Sequence, residues 1–322
     1  MTAQSPHQNI IRNWLYFNAF MVFCMAVIGA VTRLTESGLS IVEWRPLIGA
    51  LPPLNAAEWE RVFALYRETP EYQKVNVGMS LSEFKNIFFW EWFHRLWGRL
   101  IGLFYAVPLV FFWIKNWIPN GYTPLLFGLL ILGGMQGVMG YVMVLSGLVD
   151  QPSVSHYRLA AHLSLAFVIF ACLLWVAFKL SNIEQRETSF CIKRHGWIAM
   201  ALLSITIIWG AFMAGMDAGL VSSSWPHMYQ GVMVPHDLFN NFLNNAEAVH
   251  FTHRWLAFIT MIVIAAFAWR VKSHGLALMI LVQFGLGIAT IMTHVHIHTA
   301  ATHQAGAFIV SALLLRQLYK LR

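Results

Sequence analysis

Eight apolar segments, each about 20 residues long, dominate this 322-residue chain. A segment of that length can cross the hydrocarbon core of a bilayer as an α-helix. Only 11% of the residues are charged, whereas soluble domains carry roughly 25%. The sequence therefore predicts an all-α integral membrane protein with eight transmembrane helices, at approximately residues 14–32, 94–114, 123–145, 157–180, 196–216, 248–269, 275–293 and 301–318.

The basic residues of the connecting segments predict the orientation of these helices. Lys and Arg concentrate in segments on one side, such as 181–195, whereas segment 217–246 has neither. The positive-inside rule then places both termini in the cytoplasm. The first apolar run has no small-residue cleavage site and the head has no Arg/Ser-rich presequence, which favours a bacterial inner membrane. The net charge of +7 is explained by this placement, so membrane lipid is an expected partner and nucleic acid is not.

The chain contains the same pattern twice. Residues 29–53 resemble residues 210–235, because both carry a Gly-Leu core followed by Trp and Pro. "EWFHRLW" (91–97) resembles "HFTHRWL" (250–256), and two further pairs follow in the same order: "MQGVMG" (135–140) with "VQFGLG" (282–287), and "RLAAHL" (158–163) with "TAATHQ" (299–304). The repeat predicts two four-helix bundles, residues 1–180 and 196–322, joined by a cytoplasmic linker at 181–195.

The repeat aligns His94 with His253 and His162 with His303. Each predicted bundle holds one of these histidines in its second helix and one in its fourth, near the outer membrane face. Helix bundles build cofactor sites from side chains on facing helices, and two axial imidazoles are a haem ligand set. A single membrane histidine can instead serve only to hydrogen-bond between helices. Four at repeat-related positions favour one haem site in each bundle.

Glu91 distinguishes the two predicted sites. It lies three residues before His94 and so shares a helix face with it, whereas the corresponding residue of the second repeat is His250. One site would have a proton-handling group beside the iron, while the other would only carry electrons. The alternative is that Glu91 is a solvated residue at a helix N-terminus, where a carboxylate complements the helix dipole.

Three arginines are candidates to bind haem propionates at the outer face. They are Arg95, its counterpart Arg254, and Arg158 at the start of the fourth helix. A guanidinium pairs with a carboxylate through two parallel hydrogen bonds. The alternative is that these side chains merely extend from the membrane to the water interface.

Six motifs, in order along nearly the whole chain, resemble signatures of the haem A synthase family: "GAVTRLTESGLSIVEWRP" (29–46), "EWFHRLWGR" (91–99), "YRLAAHL" (157–163), "AGMDAGLVSSSWPHM" (214–228), "HFTHR" (250–254) and "HQAGA" (303–307). The resemblance implies oxidation of the C8 methyl of haem O to a formyl group by successive hydroxylations, giving haem A for terminal oxidases. It implies that haem O, the substrate, binds in the N-terminal bundle with Glu91, His94 and His162. It also implies a prosthetic haem b on His253 and His303.

The resemblance further implies a haem O synthase (a protohaem farnesyltransferase) as upstream partner and a membrane electron acceptor. The chain resembles family members with a long first outer loop, here 33–90, and it lacks the outer-loop cysteine pair that some members carry. The electron route, the source of the new oxygen and self-association stay open. His294, His296 and His298 fit an interfacial loop better than a copper-type metal site.

Two other functions would also account for part of this pattern. A di-haem b-type electron-transfer protein would carry the paired histidines without any chemistry on its haem. A transporter built on parallel repeats would explain the duplication but not four histidines at one depth.

Overall fold

The computed structural model describes residues 7–43, 48–145, 147, 153–229, 231–235 and 238–321. Within these residues the chain forms ten α-helices and no β-strand. The helices are α1 (Gln8–Leu34), α2 (Ala56–Arg67), α3 (Pro70–Lys74), α4 (Leu81–Ile114), α5 (Thr123–Leu145), α6 (His156–Lys179), α7 (Phe190–Gly215), α8 (Ala246–Arg270), α9 (His274–Met292) and α10 (Ile297–Lys320).

Seven helices of the described chain are long and apolar enough to cross a membrane: α1, α4, α5, α6, α7, α8 and α9. The protein is thus an all-α, multi-pass membrane protein, as the sequence predicts. The eighth predicted span, 301–318, forms helix α10, which is not among the seven. Its first turns carry His298, His303 and Gln304, which reduce its hydropathy.

Helix α4 is longer than the span predicted at 94–114, because it begins 13 residues earlier, at Leu81. A capping box fixes this start. The Ser80 backbone N–H donates to Glu83 Oε2 (2.8 Å), and the Glu83 N–H donates to Ser80 Oγ (3.3 Å). A helix of 34 residues is roughly 51 Å long, well beyond the roughly 30 Å of a hydrocarbon core. Glu91 therefore lies in the third turn of a helix and not at its end.

The segment between α1 and α4, predicted to face outward and called the first outer loop here, packs against the beginning of α4. The segment from Asn55 to Gln73 has the pattern of one amphipathic surface helix, but the structure divides it into α2 and α3. The break occurs at Thr69, which caps α3, and Pro70, which occupies its first turn. Four aromatic side chains bury the contact between this loop and α4: Phe63, Tyr66, Phe84 and Phe88.

The membrane helices pack in chain order within each half of the protein. Helix α1 contacts α4 and α6, and α5 packs against α4 and α6; in the second half α7 contacts α8, α8 contacts α9, and α9 contacts α10. The halves meet where α10 packs on α1 and α6, and where α6 packs on α7. Phe308 of α10 is fully buried there and stacks on Phe167 of α6 at 3.8 Å between ring centroids.

Two polar contacts also join the halves. The Gln304 amide donates to the Ala26 carbonyl (2.7 Å). Arg33, near the end of α1, donates to both carboxylate oxygens of Asp217 after α7, each at 2.8 Å. These contacts join α1 to α10 and to the segment that follows α7.

Candidate functional site

Each of the four aligned histidines presents its Cε1 atom to a glycine on a neighbouring helix. A Cβ atom added to any of these glycines would lie only 3.0–3.2 Å from that Cε1. The pairs are His94 with Gly29 of α1, His162 with Gly140 of α5, His253 with Gly210 of α7, and His303 with Gly287 of α9. A larger residue would have to displace the imidazole, so these glycines leave the space that the rings occupy.

The imidazoles are suited to bind a ligand. All four side chains are half-buried. In three of them, His94, His162 and His253, the buried Nδ1 atom has no hydrogen-bond partner among the described residues. Within each half the two histidines lie on helices that share two neighbours: α4 and α6 both pack on α1 and α5, and α8 and α10 both pack on α7 and α9. Haem iron needs only two protein ligands, because the macrocycle supplies four nitrogens. The donor set of each half therefore fits a haem.

Glu91 is buried, with 3% of its surface exposed. Its Oε2 accepts hydrogen bonds from Ser40 Oγ (2.8 Å) and from the backbone N–H of Ile41 (2.7 Å). Its Oε1 pairs with the Arg95 guanidinium at 2.5 Å, one helical turn further along α4. The solvated helix-end alternative is therefore wrong. Glu91 is a fully partnered carboxylate held between α4 and the loop that follows α1.

Arg95 and Arg254 hold matching places in the two halves. Arg95 binds the first outer loop, and Arg254 binds the loop between α7 and α8. Arg95 donates to the Ile41 carbonyl (3.0 Å) as well as to Glu91. The Arg254 Nε donates to His250 Nε2 (2.9 Å), and its Nη1 donates to the His227 carbonyl (3.1 Å). The pair one turn apart is thus an ion pair in the first half and a cation–imidazole hydrogen bond in the second.

A cavity of about 290 Å³ lies between the first outer loop and α4. Its wall includes Ser40, Trp92, Arg95 and Arg99. Three guanidinium groups line the cavity. That of Arg61 is paired with Glu43 and Glu58, which line the same cavity, whereas those of Arg95 and Arg99 suit a carboxylate ligand, as the propionate prediction for Arg95 requires. Arg158 lies elsewhere: it is exposed, and its Nη1 donates to the Val142 carbonyl of α5 (2.7 Å).

The three extra histidines lie at the turn between α9 and α10. His294 has a positive φ of 52°, His296 is the N-cap of α10, and all three side chains are exposed. The rings of His296 and His298 lie 5.2 Å apart. No cluster of three or more His, Cys, Asp or Glu side chains suited to a metal ion occurs among the residues that the structure describes.

Sequence reasoning missed two kinds of residue in the site: the glycines that face the rings, and two glutamines, Gln136 and Gln283. Each glutamine amide contacts one of the histidines, Gln136 with His162 and Gln283 with His303. The signal was present in "MQGVMG" and "VQFGLG", where a Gln precedes a Gly by four residues in both repeats. The motifs marked the duplication, but only packing places them beside the imidazoles.

Comparison with known proteins identifies the family of this chain. The model of the COX15-CtaA family, described as cytochrome oxidase assembly protein, matches residues 12–315. The chain belongs to the COX15-CtaA family. Similar proteins from several bacteria carry the name heme A synthase. The protein of Rhodospirillum centenum is 47% identical, over 96% of this chain and 87% of its own length.

Two further relatives are similar to this chain along nearly their whole length. The heme A synthase of Parvibaculum lavamentivorans is 43% identical, covering 98% of this chain and 95% of the relative. That of Agrobacterium fabrum is 43% identical, covering 96% and 90%. The family resemblance read from the six motifs is thereby confirmed.

Proposed function

We propose that this protein oxidises the C8 methyl group of haem O to a formyl group, the reaction of a haem A synthase. The observation that carries the proposal is the buried Glu91 carboxylate, one helical turn from His94, in a protein whose second half has His250 in its place. A pure electron carrier would need no proton-handling carboxylate beside one of its two sites. The names of the relatives support the same activity.

We also propose eight membrane crossings in two repeat-related bundles, residues 1–180 and 196–322, joined by the linker 181–195. Recurrence of the same glycine–imidazole contact on α1 and α7, and on α5 and α9, supports the duplication. Helix α10 would be the eighth crossing, since it carries His303 and packs along α9, α1 and α6. The basic inner segments support cytoplasmic termini in a bacterial inner membrane.

In this arrangement His94 and His162 hold haem O, the substrate. His253 and His303 hold a prosthetic haem b. When bound, haem b supplies the one-electron chemistry that a methyl-to-formyl oxidation requires. Arg254 is buried within the outer loop of the second half and would face the propionates there together with its loop partners. Arg95 and Arg158 would serve the substrate side.

Glu91 would act as a general base or as a residue that positions water. Oxidation of a methyl to a formyl group releases protons, and a fixed acceptor lowers the barrier to their transfer. Ser40, Ile41 and Arg95 hold the two carboxylate oxygens in place from three directions. Such a network keeps the carboxylate oriented, and its three partners also line the cavity between the first outer loop and α4.

The reaction needs two partners. A haem O synthase must supply the farnesylated substrate, and a membrane electron acceptor must remove the electrons. Haem O is strongly apolar, which is consistent with transfer between two enzymes within one membrane.

The test is co-expression of the full chain with a haem O synthase in cells that make no haem A. Haems extracted from the purified protein are then resolved by chromatography and identified by mass. We expect haem b, haem O and haem A in the wild-type sample. Haem b alone, despite an ample supply of haem O, would favour the di-haem electron carrier, and the absence of any haem would favour a transporter.

Single variants test which half holds which haem. We expect His253→Ala and His303→Ala to lose haem b and all activity. We expect His94→Ala to keep haem b and to lose bound haem O. The opposite pattern would reverse the assignment of the two halves while leaving the reaction itself in place.

A further inference from the structure

Two glutamines make similar contacts in the two halves of the protein: each amide reaches the backbone carbonyl and one ring nitrogen of a histidine, although that nitrogen is Nε2 in His162 and Nδ1 in His303. Gln136 of α5 donates from Nε2 to the His162 carbonyl (3.1 Å), and Nε2 lies 3.3 Å from the His162 ring Nε2. Gln283 of α9 donates to the His303 carbonyl (2.9 Å), and its Nε2 lies 3.2 Å from the His303 ring Nδ1. The sequence separations differ, 26 residues against 20, so the contact is a property of the packed helices.

Burying these amides among apolar side chains is unfavourable in free energy, so a compensating role is expected. Gln283 is only 9% exposed in an otherwise apolar helix. A buried amide oxygen without a hydrogen bond is unfavourable, yet Oε1 of both glutamines is buried and has no partner among the described residues. A Cβ added to Gly306 of α10 would lie 2.0 Å from Gln283 Oε1, so a glycine also makes room for this amide.

We propose that Gln136 and Gln283 are positioning residues that orient His162 and His303 for iron. This inference rests on the proposed haem sites. Histidines that bind a metal nearly always hydrogen-bond through the other ring nitrogen, which fixes the tautomer and the ring orientation. Once iron takes one nitrogen of a neutral imidazole, the other carries the proton and must donate it. The unpartnered Oε1 of the same amide is the acceptor within reach.

The amide is suited to this change because it contains both a donor and an acceptor. Without iron, its N–H faces a ring nitrogen that can accept. With iron bound, rotation of the amide would exchange the bond from Nε2 to the histidine carbonyl for a bond from the ring N–H to Oε1, while the imidazole remains against Gly140 or Gly287. A leucine at either position could make neither bond. A glutamate could only accept, and its charge would make the imidazole a stronger electron donor to iron.

The experiment uses the purified full-length protein loaded with haem b and compares Gln283→Leu with Gln283→Glu. Loss of this kind of outer hydrogen bond typically weakens metal binding about 10- to 100-fold. We expect Gln283→Leu to lose haem b in that range, and the haem b that remains to have a higher midpoint potential and an altered low-spin electron paramagnetic resonance spectrum. We expect Gln283→Glu to shift the potential in the opposite direction and to restore binding.

Gln317→Leu is the matched control. Gln317, on α10, also has an amide that bonds to a neighbouring helix, at Ser273 Oγ of the α9 N-cap (2.9 Å), but it contacts no imidazole. The Gln317→Leu variant should leave the spectrum and midpoint potential of haem b unchanged. Gln136→Leu should lower haem O retention without changing the haem b potential. Wild-type haem b content, spectrum and potential in Gln283→Leu would overturn the positioning role. A wild-type protein that binds no haem would instead overturn the proposed function.

Discussion

Replacing Glu91 with Gln gives the sharpest test of the proposed chemistry. The amide has the size of the carboxylate, so its oxygen can keep the bonds from Ser40 Oγ and the Ile41 N–H. Its NH₂ group then faces the Arg95 guanidinium, which has nothing to accept. The substitution thus removes one buried ion pair and one negative charge while keeping the volume of the side chain.

The expected magnitudes separate a structural effect from a chemical one. Loss of one charge-assisted hydrogen bond costs about 1.5–3 kcal/mol of stability. Both side chains of the pair are largely buried, 4% and 13% exposed, so solvent screens them little. Loss of a general base lowers turnover by about 10²–10⁴-fold. We therefore expect Glu91→Gln to remain folded, to bind haem O, and to form little or no haem A.

The assay measures haem O, haem A and the hydroxymethyl intermediate per molecule of protein, with haem b as an internal measure of folding. Arg95→Gln breaks the same ion pair from the other side and is the matched control. If Glu91 serves only to hold Arg95, both variants should lose the same activity.

If Glu91 takes part in the chemistry, the two variants differ. Arg95→Gln should lower haem O occupancy but keep conversion per bound haem, whereas Glu91→Gln should keep occupancy and lose conversion. Wild-type amounts of haem A from Glu91→Gln would refute the role of the carboxylate and, with it, the argument from the asymmetry of the two halves.

Three further outcomes are expected. Arg254→Leu should fold but carry less haem b, because the propionates lose a charge-assisted partner worth about 1.5–3 kcal/mol. Haem b per protein at limiting haem supply measures this, and normal content would exclude a role in binding. Gly29→Ala should impair haem O conversion without affecting haem b, because the new Cβ lies 3.1 Å from His94 Cε1. The control Gly102→Ala should have no effect, because a Cβ there has no neighbour within 4 Å. Burial raises the pKa of the Glu71 carboxyl from 4.5 to about 7, helped by the nearby charges of Glu91 and Glu36, although the Tyr66 hydroxyl opposes the shift. Between these pH values the folded first outer loop keeps a proton that the unfolded loop releases, so the stability of the loop should fall as pH rises from about 4.5 to 7. Hydrogen exchange of residues 56–88 should show this loss of protection with rising pH. Glu71→Gln should remove the pH dependence.

Much of the architecture could be predicted from the sequence, because the bilayer imposes a length and a polarity on each crossing. Apolar runs of about 20 residues stand out in composition, and so do the few polar groups within them. His94, His162, His253 and His303 were therefore visible as candidates before any contact was known. Helix α10 shows the limit of this reasoning, since its polar first turns reduce its hydropathy although it forms a full helix.

Only the tertiary structure revealed which groups surround these histidines. In a membrane helix the face toward lipid and the face toward protein are both apolar, so periodicity does not show which side packs inward. The glycines opposite the imidazoles and the amides of Gln136 and Gln283 depend on how each helix is rotated against its neighbours. The environment of Glu91 depends on a loop about 50 residues away, whose Ser40 and Ile41 fold back onto α4. The sequence by itself determined that a carboxylate precedes His94, but packing decided that it is buried and held by three partners.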